Sequence, residues 1–283
     1  LNFRLTGPEM AYILDHAEVS AIISGPEFTA TLDGLRAELR VDAKRYITLA
    51  QQAPQQWLSY EDLMNTGDAQ FKFAAVGPQD MCALMYTSGT TGRPKGAIRR
   101  HGGSTLIAMA TAMEMGFTRQ DTALLVMPLC HANSLYFGTT FIHAGGTCII
   151  DDRRSFDPEA LLATLAQEKV TFTSLVPTHY IMMLALPEEV KQRYDVSAVG
   201  KLLVSSAPAR KDTKTAILDY FKNGRLYELY GSTEAGWVTL LRPEEQLSKL
   251  GSVGREWAGS GAIRLLNEDR QEVVDGEVGE LFS

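Results

Sequence analysis

Apolar and polar positions along the chain alternate between two rhythms. Short apolar runs read as buried strands, and stretches whose apolar residues recur at three and four read as helices. Thr6-Gly7-Pro8-Glu9 is a capping box opening a helix through about Leu14. A strand from Val19 to Ser24, a helix from Phe28 to Leu39 and a strand from Tyr46 to Leu49 follow. Residues 50–80 are a polar connecting stretch with a short helix near Glu61. Next come a strand at 81–86 and a helix from His101 to Gly116 rich in Met and Ala. The alternation then repeats, with strands at 122–127, 147–150, 171–175, 201–205 and 225–230. Helices at 134–144, from Pro158 to about Lys169, at 178–186 and at 210–222 separate them. Asp157 before Pro158 is a start signal, and Gly145 and Asn223-Gly224 are stops. After Gly236 the texture changes to short β-rich segments at 252–256, 262–266 and 278–282.

Strands separated by helices of this length favour parallel pairing. The expected fold is α/β: two layered α/β subdomains with largely parallel sheets, plus the start of a small β-barrel subdomain. The expected divisions are 1–117, 118–236 and 237–283. Ligands of open parallel sheets bind beyond the carboxyl ends of the strands. Met85-Tyr86, Val126-Met127, Val204-Ser205 and Leu229-Tyr230 are those ends, so the four loops that follow are expected on one rim.

Composition changes this picture little. Hydrophobic residues at 45% and charged residues at 22% suit a soluble body with a sizeable core. A net charge of −7 argues against a nucleic-acid surface. Cys82, Cys130 and Cys148 show neither metal spacing nor a disulfide framework, which suits a reducing compartment. No apolar run approaches the ~20 residues of a membrane span, and the start lacks a basic-then-apolar signal pattern. The expectation is a cytoplasmic protein, with a homo-oligomer left open.

Candidate chemistry concentrates at residues 86–96, Tyr-Thr-Ser-Gly-Thr-Thr-Gly-Arg-Pro-Lys-Gly. Glycines let the backbone turn and approach a ligand closely, and successive N–H groups can cradle anionic oxygens. Thr87, Ser88, Thr90 and Thr91 add rotatable donors around Gly89 and Gly92, and Lys95 adds a point charge suited to phosphate. A Walker A loop fails on spacing, because Arg93 and Pro94 separate Gly92 from Lys95. A Gly/Thr-rich surface turn with no ligand is the plain alternative. For Arg99 and Arg100, a solvated face and a ligand-facing role are both open.

This string resembles the phosphate loop of the adenylate-forming (AMP-binding) enzymes, in particular their acyl-CoA synthetase branch. Further stretches are similar to family motifs in the same order. They are Pro128-Leu129-Cys130-His131, Ser205-Ser206-Ala207-Pro208, Tyr227 to Glu234 and Gly276 to Leu281. The resemblance implies ATP, Mg²⁺ and CoA as reactants and cofactor, and a small carboxylic acid as substrate. It places His131 at the acyl pocket and Ser206, Ala207 and Pro208 beside the adenine. Glu228, Leu229, Tyr230, Gly231, Ser232 and Thr233 form its nucleotide motif, with Thr233 at the α-phosphate and Glu234 on the metal. Tyr230 could equally be core, and His131 structural. At Gly231 some short-acid enzymes of the family carry Trp, so a medium, long or aromatic acid is expected. Trp237, Met182 and Met183 read as core before channel lining.

The resemblance implies two steps: acyl-adenylate formation with release of pyrophosphate, then displacement of AMP by a thiol. It also implies a ribose-binding aspartate and a mobile domain with a second lysine, neither found after Ser283. The expectation is an interior fragment that ligates poorly or not at all alone. A peptide-synthetase-type adenylation domain, a γ-phosphate-transferring enzyme and a non-catalytic nucleotide-binding fragment are the alternatives. Ala132-Asn133-Ser134 lacks the amino-binding Asp that the first of these would carry.

Overall fold

The computed structural model describes residues 1–87 and 92–283. The chain forms two compact units, Leu1–Ile98 and Arg99–Ser283.

The first unit opens with helix α1 (Gly7–His16), where the Glu9 carboxylate accepts from the Thr6 amide and hydroxyl at 2.7 Å each. Strand β1 (Ile22–Ser24), helix α2 (Thr29–Leu35), strands β2 (Tyr46–Thr48) and β3 (Leu58–Ser59) and helix α3 (Tyr60–Thr66) follow. β1, β2 and β3 pair in parallel. Met10, Leu14, Ile22, Leu32, Leu35, Tyr46 and Trp57 pack into the core beneath them. The predicted helix to Leu39 stops at Leu35, where the backbone bonds tighten to three-residue turns, Arg36 N donating to Asp33 O at 3.3 Å and Glu38 N to Leu35 O at 2.9 Å. The Arg36 side chain lies 3.8 Å over the Tyr46 ring and bonds Asp33 at 2.7 Å. Strands β4 (Met81–Thr87) and β5 (Lys95–Arg100) form a separate two-stranded sheet, and the unit boundary falls within β5.

The second unit runs α4 (His101–Met115), β6 (Thr122–Leu125), α5 (Ala132–Ala144), β7 (Thr147–Ile150), α6 (Pro158–Gln167) and β8 (Phe172–Leu175). It continues through α7 (Pro177–Leu184), α8 (Glu188–Lys191), β9 (Lys201–Ser205), α9 (Lys211–Tyr220) and β10 (Arg225–Ser232). Short strands β11 (Gly236–Leu241), β12 (Arg255–Glu256), β13 (Arg264–Leu266) and β14 (Glu280–Phe282) complete it. Gly145 is a stop as read, and Gly116 takes the same left-handed conformation at the end of α4. The stop expected at Asn223-Gly224 is not used in that way: α9 already ends at Tyr220, and Gly224 does not take a left-handed φ. Asp157 caps α6 by accepting from Glu159 N and Ala160 N at 3.0 Å each.

Seven strands form one sheet in the order β12-β11-β10-β9-β8-β6-β7. β7, β6, β8, β9 and β10 are parallel; at one side β11 pairs antiparallel with β10, and β12 antiparallel with β11. Leu124, Leu161, Leu175, Leu202, Val204 and Leu226 are wholly buried between sheet and helices. The alternation therefore holds, with one difference. Strands β11 and β12 of segment 236–256 join this large sheet, and in the second unit, among the described residues, β13 and β14 alone pair apart from it. The apolar run Trp237 to Leu241 is buried on both faces, so it completes the large sheet before the small one begins.

Candidate active site

β6, β9 and β10 point the same way, so their carboxyl ends share one sheet edge. Three of the four anticipated loops leave from that edge: Pro128–His131 after β6, Ser206–Pro208 after β9, and Tyr230–Glu234 at the end of β10. The fourth belongs to the first unit, between β4 and β5. Its Ser88, Gly89, Thr90 and Thr91 lie outside the described residues.

At the end of β10 the register with β11 shifts between Tyr230 and Gly231. The shift brings two backbones together: a Cβ on Gly231 would sit 2.3 Å from the Gly236 carbonyl oxygen. Gly231 is thus required by the strand approach, and its bare position does not by itself report the length of the acid. Beyond it, Ser232 Oγ accepts from Ala235 N at 3.0 Å, and Gly236 closes the turn at φ +79°. Tyr230, Ser232 and Glu234 are exposed and Thr233 is half-buried. Arg99 holds the turn from inside: its buried guanidinium donates to the carbonyls of Glu234 at 3.1 Å and Thr233 at 3.4 Å and lies 5.1 Å over the Tyr136 ring. At 8% exposure Arg99 does not belong to a solvated face. Trp237 and Met183 are core, Trp237 donating to Thr111 Oγ1 at 3.1 Å, whereas Met182 is exposed.

The turn after β9 is held at both ends. Ser206 takes φ +68°, a left-handed conformation that a serine adopts at a cost of about 1–3 kcal/mol. Just before it, Ser205 Oγ accepts from Asn133 Nδ2 at 2.8 Å, and Asn133 Nδ2 also donates to Ser174 Oγ at 2.8 Å. Just after it, Ala209 N donates to Glu228 Oε1 at 3.3 Å. The Glu228 carboxylate is ion-paired with Lys214, whose side chain is 1% exposed. Glu228, expected among the nucleotide contacts, is buried beneath the turn and occupied by these partners; Leu229 beside it is buried too. Ser206, Ala207 and Pro208 are exposed above.

His131 is the N-cap of α5 and is exposed at the rim; its amide donates to Pro128 O at 2.9 Å. His179, in the first turn of α7 beyond β8, had no predicted context. It stacks on Phe156 at 4.0 Å between centroids. Burial pushes its pKa down against the pull of Asp151, so the imidazole is held neutral.

In the first unit, Gly92 is exposed at φ +90°, Lys95 is exposed and Thr87 is half-buried. Tyr86, at the entry to the loop, has its hydroxyl 2.6 Å from His16 Nδ1, and Tyr12 Oη donates to Pro94 O at 3.2 Å. Tyr12 and His16 stack at 5.4 Å on α1. Sequence reasoning missed both, although an aromatic pair four residues apart on a helix is a visible sign. Gly96 lets Tyr86 lie flat on β5, since a Cβ there would sit 3.1 Å from its ring.

Among the described residues no three carboxylate, imidazole or thiol side chains gather into a metal cage. The exposed Glu234 offers a single carboxylate. That suits Mg²⁺, which keeps several waters and binds through one or two carboxylates plus nucleotide phosphates.

The chain is 34% identical over its whole length to an indoleacetate–CoA ligase of Aromatoleum aromaticum, covering 54% of that protein. It is 34% identical over 99% of its length to a feruloyl-CoA synthase of Amycolatopsis, covering 53% of it. The N-terminal domain of FACL13 from Mycobacterium tuberculosis superposes with a TM-score of 0.82 at 26% identity, over 99% of this chain and 67% of that one. The chain thus spans about half the length of the curated relatives it matches. The model of the AMP-binding enzyme family matches residues 1–283, and the chain belongs to that family.

Proposed function

We propose that the chain is the nucleotide- and acid-binding part of an AMP-forming carboxylic acid–CoA ligase whose acid carries an aromatic ring. One observation carries the reading: three motif-bearing turns leave a single sheet edge and expose a ring, hydroxyls and a carboxylate there. The aromatic acid is suggested by the names of the relatives, indoleacetate and ferulate ligases.

A carboxylate is already ionised at pH 7, so its attack on the α-phosphorus of ATP needs no general base. It needs alignment and charge neutralisation. Tyr230 stacks the adenine against Ala207 and Pro208, while Thr233 donates to the α-phosphate oxygens. His131 borders the acid and orients its carboxylate. Thr87, Gly92 and Lys95, with the loop between them, hold the β- and γ-phosphates and then the leaving pyrophosphate. Glu234 would hold Mg²⁺, which supplies charge neutralisation to the phosphates when bound. AMP is then displaced by the thiol of CoA.

The test is exchange of labelled pyrophosphate into ATP by the full-length protein across a panel of aryl, indolyl and alkyl acids. Exchange that depends on an aryl or indolyl acid is expected. Nucleotide hydrolysis or γ-phosphate transfer without such exchange would overturn the reading.

A further inference from the structure

Resting on that reading, we infer that Asn133 is a positioning residue that sets the adenine-side turn relative to the acid-side loop. Asn133 lies two residues after His131, in the first turn of α5, and is 8% exposed. Its Nδ2 donates to Ser174 on β8 and to Ser205 on β9. Both hydroxyls are buried, at 3% and 6% exposure. One amide therefore crosses from the first turn of α5, just beyond the loop after β6, to the next two strands in the sheet. β8 lies between β6 and β9, so no backbone ladder ties β6 to β9 directly. The bridge is side chain only.

The place of the bridge gives it leverage. Ser205 is the last residue of β9, and Ser206 immediately takes its left-handed turn. A strained residue persists where its surroundings over-determine it. Here Asn133 fixes the near end of the turn, and Glu228, bonded to Ala209 N, fixes the far end. Ser206, Ala207 and Pro208 are presented between the two. Ser174, the other partner, sits within β8 and leads to no nucleotide turn. The asparagine thus has one bond that bears on the adenine turn and one that does not.

That asymmetry supplies the test. In the full-length protein, Ser205→Ala and Ser174→Ala each remove one buried hydrogen bond to the same amide. A packing role alone predicts matching effects. The positioning role predicts that Ser205→Ala raises KM for ATP about five- to tenfold, the worth of one bond of roughly 1 kcal/mol. Ser174→Ala should change it less than about twofold, with both variants melting within a few degrees of each other. Asn133→Ala should raise KM for ATP and for the acid together, and adding Ser205→Ala to it should raise KM for ATP no further. Calorimetric binding of ATP gives the same ranking without turnover. Equal KM for ATP in the two serine variants overturns the inference and leaves the proposed function standing. A wild type that neither exchanges pyrophosphate nor binds ATP sinks both.

Discussion

The two edges of the seven-stranded sheet are both stitched across β6, β8 and β9, yet with opposite chemistry. At the amino ends the stitch is charged and closed. Asp121 accepts from Lys201 Nζ at 3.0 Å, Thr171 Oγ1 at 2.9 Å and Thr118 N at 2.9 Å. Burial pushes its carboxyl pKa up, but the Thr118 amide, Lys201 and Thr171 together hold it below the usual range. At the carboxyl ends the stitch is a neutral amide between two hydroxyls, and the groups beyond it face outward: His131, Ser206, Tyr230 and Glu234. The first edge spends its charges on itself. The second leaves its charge and hydroxyl groups facing outward, at the strand ends where open parallel sheets bind ligands.

The contrast breaks most sharply if the outward groups prove dispensable. Replacing Glu234 of this edge together with Lys95 of the first unit by Ala in the full-length protein should lower acid-dependent pyrophosphate release by at least about a thousandfold, with an unchanged melting temperature. Retained turnover would return the edge to a plain loop cluster.

Beneath the same edge, Lys214→Ala strands the buried Glu228 carboxylate and should cost about 3–5 kcal/mol in urea unfolding. The double replacement Lys214→Met with Glu228→Gln should recover most of that loss. Without such recovery the pair does more than neutralise itself. Tyr230→Ala should leave stability nearly intact, because the ring is 42% exposed. It should raise KM for ATP about tenfold, the worth of one stacked base.

The smallest effect belongs to the opposite edge. Asp121→Asn should cost about 1–2 kcal/mol at pH 7 with kcat and KM unaltered. A carboxyl held low contributes stability that is present above the ordinary aspartate range and lost as pH falls through its folded pKa. The gap between wild type and variant should therefore shrink when unfolding is repeated near pH 3. A gap that widens in acid would mean that the carboxyl is not held low.

Much of this was legible from residue patterns, because local chemistry decides it. The strands at 147–150 and 201–205, the Thr6–Glu9 box and the stop at Gly145 all follow from period, capping and left-handed glycine. The family motifs put three loops at the correct strand ends. What stayed hidden depends on long-range packing. β11 shows no alternation, since both its faces are buried, and so nothing in Trp237 to Leu241 declares which sheet it joins. Arg99 reads as either solvated or ligand-facing and Glu228 as a nucleotide contact, whereas burial and partners 134 and 19 residues away shape their surroundings. Asn133 registered only as a missing aspartate; its role appears once Ser174 and Ser205 arrive beside it.

The close approach at Gly231 also limits anyone recasting the acid preference. With the Gly236 carbonyl 2.3 Å from any added Cβ, and Gly254 crowded by Leu240 O at 2.0 Å, a saturation library that varies either glycine will mostly sample misfolded chains.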